Sequence, residues 1–389
     1  MKLRRVLISA ITCLILVGCT DNVEIDNKAF VSTIAIDVGK DIEKQNSLET
    51  IKQKEPFREN GLDLINVTYG FPDIRNMEPE KGSAPEVAIT SSGYSMTDAY
   101  FKATSKMSRE FHFGHSKLLM ISEDVFKYPE VLSEMLDYIS RDSMLNKSMF
   151  LVITKGEAMP YVTYKPPTED NIENYIAGLM INTSKNASII PTTLHTYFAN
   201  EGNNESLIPY IGIEGEDLKI YGMVAVKNLE VKGILNNPQV SDIQLIKGDI
   251  GAAKEVSFIE GKAIDYHIDD SNSKLKIKYD EEENKLYLNY NIVMKGGISG
   301  AYLGSNMLEN DKISQVEEAL NISMEEEFKQ VFDIIQNKYS IDPLEIKANI
   351  RRYHPRVWKK VSEHWDEVYK KAEVNFNVKN EIKTIGVSQ

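Results

Sequence analysis

Side chains able to do covalent or metal chemistry are scarce in this chain of 389 residues, and each candidate can be weighed by its neighbours. The only cysteines are Cys13, inside an apolar run, and Cys19, just after it, which leaves no spacing for a redox pair or a thiolate zinc cluster. His112 and His115 stand three apart in Phe111-His112-Phe113-Gly114-His115 and could chelate a metal if the segment were helical. Gly114 and the apolar strand after it favour a turn, and no cysteine or carboxylate at a matching spacing completes a ligand set. Asp270, Asn272 and Glu281 fit the first, third and last positions of a calcium-loop frame. Lys274 takes a ligand position in that frame, however, and Leu275 stands where the sharp turn needs glycine. Arg141-Asp142 lacks the preceding histidine and metal-binding partners of a kinase catalytic loop, so it reads as a local ion pair or cap. Gly296, Gly297, Gly300 and Gly304 miss the Gly-x-Gly-x-x-Gly dinucleotide spacing and read as a turn before a helix. Walker loops, His-Glu-x-x-His pairs and Gly-x-Ser-x-Gly elbows do not occur. The expectation is therefore no enzyme: no catalytic residue, no metal and no cofactor.

Cys19 remains, and its setting gives it a role. Lys2, Arg4 and Arg5 precede an apolar run from Val6 to Val17, and the small Gly18 follows. This is the order of a secretory leader: basic region, apolar region of about a dozen residues, cleavage site. Such a run is short for a permanent span of a roughly 30 Å hydrocarbon core. The ending Leu16-Val17-Gly18-Cys19 resembles the bacterial lipoprotein signal. That resemblance implies cleavage between Gly18 and Cys19, with a diacylglyceryl group on the Cys19 thiol. The other readings are an ordinary secretory signal that happens to end in cysteine, and an uncleaved membrane helix.

Composition narrows the partners. The formal charge is −13, and the leader supplies three cations and no acid, so the exported body is more acidic still. That argues against nucleic acid, which needs a basic footprint. It also argues against a polybasic hold on anionic lipid, leaving acyl chains as the anchor. The length suits two or three domains, and 42% apolar with 26% charged residues suits a folded body.

The elements expected beyond the leader (1–18) form an α+β to α/β multidomain chain of two to three domains, each a sheet with packed helices. Residues 19–198 read as an N-terminal α/β domain. Its strands are 29–36, pairing with 62–71, then 88–90, 117–122 and 149–154, and its helices open at Met96 and span 123–139 and 171–180. Polar, turn-rich 199–218 reads as a boundary. Residues 219–387 read as a C-terminal α+β region. There Leu275, Ile277 and Tyr279 face Leu286, Leu288 and Tyr290 across the acidic tip 280–284. Ile313, Val316, Leu320, Met324, Phe328, Val331 and Ile335 line one helix; Trp358, Val361, Trp365 and Val368 form a second stripe, read mainly as core; and 374–378 close as a strand.

In this order the pieces resemble the Ger(x)C family, the C-subunit lipoproteins of spore germinant receptors. Four stretches carry the likeness: Gly18-Cys19-Thr20-Asp21 leading to Ile34-Ala35-Ile36-Asp37; the glycine–histidine turn and strand Phe113 to Glu123; Tyr138 to Asp142 with strand 149–154; and Gln336 to Tyr339 with Tyr353-His354-Pro355-Arg356-Val357-Trp358-Lys359-Lys360, Trp365 and the strand closing at Gly386. The chain departs from the family in two places: Thr20 stands where many members carry Trp, and Ile341 to Glu345 replaces a stretch that usually contains glycine. The resemblance implies three α/β-type domains and a non-enzymatic receptor subunit. It would be lipid-anchored at Cys19 on the outer face of the spore inner membrane, beside an A subunit and a polytopic B subunit. The alternative function is a free-standing small-molecule-binding lipoprotein; an envelope hydrolase comes third.

Overall fold

The computed structural model describes residues 27–50, 61–73, 84–199, 204–248, 250, 252–259, 261–299 and 310–385. The leader, Gly18 and Cys19 lie outside the described residues, as do Gly300 and Gly304. The first part of the chain runs β1 (Lys28–Phe30), β2 (Thr33–Val38), β3 (Ile65–Pro72), β4 (Glu86–Gly93), α1 (Met96–Thr104), β5 (Glu110–His112), β6 (Leu118–Ser122), α2 (Pro129–Arg141), β7 (Phe150–Thr154), α3 (Met159–Val162), α4 (Ile172–Ser184) and α5 (Leu194–Ala199). Then follow β8 (Glu205–Glu214), β9 (Asp217–Lys227) and β10 (Glu230–Leu235).

Eight of these strands make one sheet, ordered β10-β9-β8-β7-β6-β2-β3-β4. Its centre, β2, β6, β7 and β8, is parallel, and the flanking pairs are antiparallel. Every residue of β6 is buried, because helices cover both faces. Leu119 and Ile121 meet Ala99 of α1 and Leu132 and Met135 of α2, while Leu118 and Met120 meet Val162 of α3 and Ile172 and Ile176 of α4. The expected helix over 123–139 is broken in two. A 3-10 turn spans Glu123–Lys127, and α2 begins at Pro129, whose missing N–H suits a first helical turn but not an interior one. The expected strand 29–36 also divides: β1 pairs parallel with β5, and β2 pairs with β3 and β6.

Asp37 closes a long-range link in this sheet. Its carboxylate accepts the N–H of Ala158 at 2.5 Å and of Met159 at 3.0 Å, at the start of α3. An anion here satisfies donors that the helix leaves open. Asp37→Ala is expected to cost about 2 kcal/mol, the upper end for a lost cap, because the buried Ala158 N–H would be left without an acceptor. Urea unfolding checks this; a midpoint equal to wild type would refute it.

Where the sequence suggests a boundary at 199–218, the structure has β8 and the start of β9, hydrogen-bonded into the same sheet. Ile208 and Ile211 of β8 are buried, so only the polar approach to the strand looked like a linker. The second layer follows: α6 (Asn237–Lys247), β11 (Ala253–Ile259), β12 (Lys262–Asp280), β13 (Lys285–Ser299), α7 (Asn310–Asp333), a π turn (Ile334–Lys338), α8 (Ile346–Tyr353), α9 (Pro355–Val361), α10 (Trp365–Lys370) and β14 (Glu373–Ile385). Its sheet is ordered β11-β12-β13-β14, antiparallel except for the parallel β13–β14 pair. Phe328 and Phe332 of α7 pack edge-on against Phe376, which stacks on Tyr290. Met223 and Ala225 of β9 share this second core with Val240 and Ile243 of α6 and with Tyr266 of β12. The two sheets are thereby joined through α6.

One open sheet edge is closed by side chains. Glu325, Asn321 and Glu317 of α7 accept the N–H groups of Val378, Asn380 and Ile382 of β14 at 3.0, 2.7 and 2.8 Å. Four residues of helix rise about 6.0 Å and two of strand about 6.6 Å, so the two repeats stay in step.

Candidate functional site

With no catalytic constellation expected, the sites to build are the seat of the first described strand and the joint between the two sheets. The chain after β1 is fastened by the glycine–histidine turn: Val31 N–H donates to His112 O at 3.0 Å, the Ser116 hydroxyl to Val31 O at 2.9 Å, and Lys117 N–H to Ser32 O at 2.8 Å. A Cβ on Gly114 would sit 3.0 Å from His112 Nε2, a tight contact that the imidazole would have to relieve. The Phe30 ring lies 5.4 Å from that of His112 and 5.6 Å from that of His115, with 5.7 Å between the histidines. This is an aromatic clasp on the first strand. Among the described residues, no three His, Cys, Asp or Glu side chains converge as a metal site.

The other sequence candidates are placed as follows. Asp270 and Asn272 lie along β12 rather than round a loop, with Asp270 facing Lys295 at 3.8 Å, and Glu281 at the hairpin tip pairs with Lys360. Arg141 pairs with Asp137 at 2.8 Å, while Asp142 accepts Met144 N–H at 2.8 Å. Gly296 and Gly297 are not in a turn but within β13. There a Cβ on the first would collide with His267 O and one on the second with Thr384 Oγ1. Trp365 is buried against Tyr369, and Trp358, half-buried, sits 6.0 Å from it.

The joint is a polar network that no local pattern announces. Lys227, the last residue of β9, reaches Glu205 Oε1 at 2.9 Å and donates to Ser340 O at 2.6 Å. Glu205 Oε2 accepts Asp342 N–H at 2.8 Å. Asp342 in turn accepts the N–H groups of Ile346 and Lys347, at 3.0 and 2.7 Å, and so caps α8. Burial pushes the Asp342 carboxyl up to about 7, against the pull of those two N–H groups. Burial lowers the Lys227 ammonium, but the Glu205 carboxylate outweighs it and holds the group above its usual range. Clefts of about 230 and 250 Å³ flank this joint and share Tyr197, Glu205 and Ser206.

Both partners of the Lys227–Glu205 pair keep only 14% and 16% of their side-chain exposure. Lys227→Met is expected to destabilise the protein by about 3 kcal/mol, because Glu205 and Ser340 O would be left without a cation or donor. The double change Lys227→Met with Glu205→Gln should recover part of that loss, and guanidinium unfolding of the four forms reads the coupling. A vanishing coupling would mean that the pair is only a surface contact.

Known proteins share this architecture. Residues 21–213 match the model of the spore germination protein N-terminal domain, and residues 222–386 that of the spore germination B3/GerAC-like C-terminal domain. The division falls at the β8–β9 turn, inside the eight-stranded sheet. Spore germination protein YndF of Bacillus subtilis (strain 168) is 24% identical, covering 99% of this chain and 98% of its own. Spore germination protein B3 of the same organism is 24% identical, over 96% and 95%. The crystal structure of the GerBC protein superposes with a TM-score of 0.57 at 20% identity, over 83% of this chain and 94% of that one. With a sheet-and-helix fold of the same kind and both domain models matched in order along its length, the chain belongs to the Ger(x)C family of spore germination proteins.

Proposed function

We propose that this protein is a non-enzymatic, lipid-anchored C subunit of a nutrient germinant receptor. It acts by assembly with A and B subunits on the outer face of the spore inner membrane. The observation that carries this reading is the match to both family domains over nearly the whole chain, behind a leader that ends in Gly18-Cys19. In this reading acyl chains on Cys19 are the attachment; among the described residues no helix is long and apolar enough to cross a membrane. Two chains on one cysteine give a stable hold where a single chain gives a marginal one.

A pull-down from spore inner membranes with this protein as bait tests the reading. The expected result is a polytopic, transporter-like partner together with an N-terminal mass of a diacylglyceryl Cys19. A lipidated protein with no membrane partner would instead favour a free-standing binding lipoprotein. The observation behind that second reading is the pair of clefts beside Glu205, and calorimetry with amino acids and nucleosides would decide it.

A further inference from the structure

The acidic chain carries a basic corner. Residues 346–371, which hold α8, α9 and α10, contain eight lysines and arginines against three acids, in a molecule of net charge −13. The cations concentrate where α8 gives way to α9 at His354-Pro355. Arg351, Arg352, Arg356 and Lys359 are all exposed. Among the described residues none of the four is ion-paired, and Arg352 instead lies 5.9 Å from the ring centre of Tyr353. Tyr353 is itself 63% exposed, unusually so for an aromatic side chain. Trp358 lies on α9 with Arg356 and Lys359, half-buried beside Trp365.

We infer that this corner is the face on which the tethered body rests against an anionic lipid surface. The inference rests on the proposed anchorage at Cys19. Eight residues separate Cys19 from Lys28, and at full extension they span at most roughly 28 Å, so the body is confined close to the bilayer. An acidic body held there is repelled by anionic head groups on most of its surface. The corner suits that surface instead: its unpaired arginines match phosphate oxygens, and its exposed tyrosine suits the interfacial region. The corner thus orients the body, while the acyl chains supply the hold.

The molecule contains its own probe, since its only two tryptophans, Trp358 and Trp365, both lie at this corner. The lipidated full chain is reconstituted on vesicles whose lipids are brominated near the head-group end of the acyl chains, with either phosphatidylglycerol or phosphatidylcholine head groups. The expected result is loss of tryptophan fluorescence, up to about the half contributed by Trp358, on the anionic vesicles only. That loss should vanish in about 0.5 M salt, where the screening length falls to a few ångströms. It should also vanish in the variant Arg351→Gln, Arg352→Gln, Arg356→Gln, Lys359→Gln; the salt arm needs no variant and guards against misfolding. Equal quenching on neutral vesicles, or none while the chain is vesicle-bound, overturns the inference. In the second case, salt-sensitive retention on polyglutamate through the same four residues would assign the corner to an acidic protein segment. Failure of the anchorage reads differently: the chain would stay off neutral vesicles and lack the lipid mass, while quenching by added anionic vesicles would still report on the corner.

Discussion

Cys19→Ala, placed behind an ordinary cleavable secretory leader, is expected to move the protein from the membrane fraction to the soluble extracytoplasmic fraction. Under the proposed anchorage the substitution removes the sulfur that would carry both acyl chains, each contributing about 0.8 kcal/mol per buried methylene. Among the described residues no helix is long and apolar enough to cross a membrane. The folded body should be untouched. Its first strand is secured by the turn at Phe113 to Lys117, well downstream of Cys19, so near-UV circular dichroism and the unfolding midpoint should match wild type. Fractionation should be done in about 0.5 M salt, which screens surface charge and isolates the lipid contribution. Germination triggered through the receptor should fall with the membrane fraction. A variant that remained membrane-bound at high salt with undiminished function would refute the anchor.

How much could be read in advance depended on the range of the interaction. Features whose parts lie close together in the chain are the legible ones. The hairpin of β12 and β13 is legible for this reason: Ile277 faces Leu288 and Tyr279 faces Leu286 across an acidic tip, as the period of two requires. The stripe Val316, Leu320, Met324 and Phe328 of α7 is buried as its spacing implies. The opposite case is the polar side of that helix. Glu317, Asn321 and Glu325 have the composition of a solvated face, yet they terminate the edge of β14, a strand about sixty residues away. The Lys227, Glu205 and Asp342 joint fails to announce itself for the same reason, being drawn from three separate segments. Polar residues at 200–206 suggested a linker because nothing local reveals that β8 completes a parallel sheet begun at β2. Charge is intermediate: the sequence shows the basic run after Lys347, but only the fold shows that four of its cations are unpaired and exposed.

Stability should decline as pH rises from about 5 to 8, against the common pattern of a folded protein losing stability as carboxylates protonate. The cause is a set of acids at the α6, β11 and α7 contact. Asp242 is buried on α6, and burial, followed by the charge of Glu327 on α7, pushes its carboxyl up to about 7. Glu255 of β11 is pushed up to about 8 by burial, with Asp242 and Glu327 adding to it. None of the three is ion-paired among the described residues; Glu327 accepts only the Ser323 hydroxyl, at 2.9 Å. In the unfolded chain Asp242 and Glu255 ionise near 4, so between pH 4 and 7 the folded state holds protons on them that the unfolded state has released. More protons bound in the folded state means that stability falls with rising pH, and it levels off above about 8 once Glu255 also ionises. For Asp242 alone the rise to about 7 corresponds to at most roughly 4 kcal/mol, a large fraction of a typical domain's stability. Asp242→Asn keeps the shape and abolishes the charge. It should match wild type near pH 5 and exceed it by about 2 kcal/mol or more at pH 8. Adding Glu255→Gln should flatten the profile further. Urea unfolding from pH 5 to 9 measures this, and a wild type that gains stability over that range, with the Asn variant weaker throughout, would mean that Asp242 works as a paired carboxylate. Because α6 joins the two sheets, this ionisation acts on the contact that holds the second layer to the first.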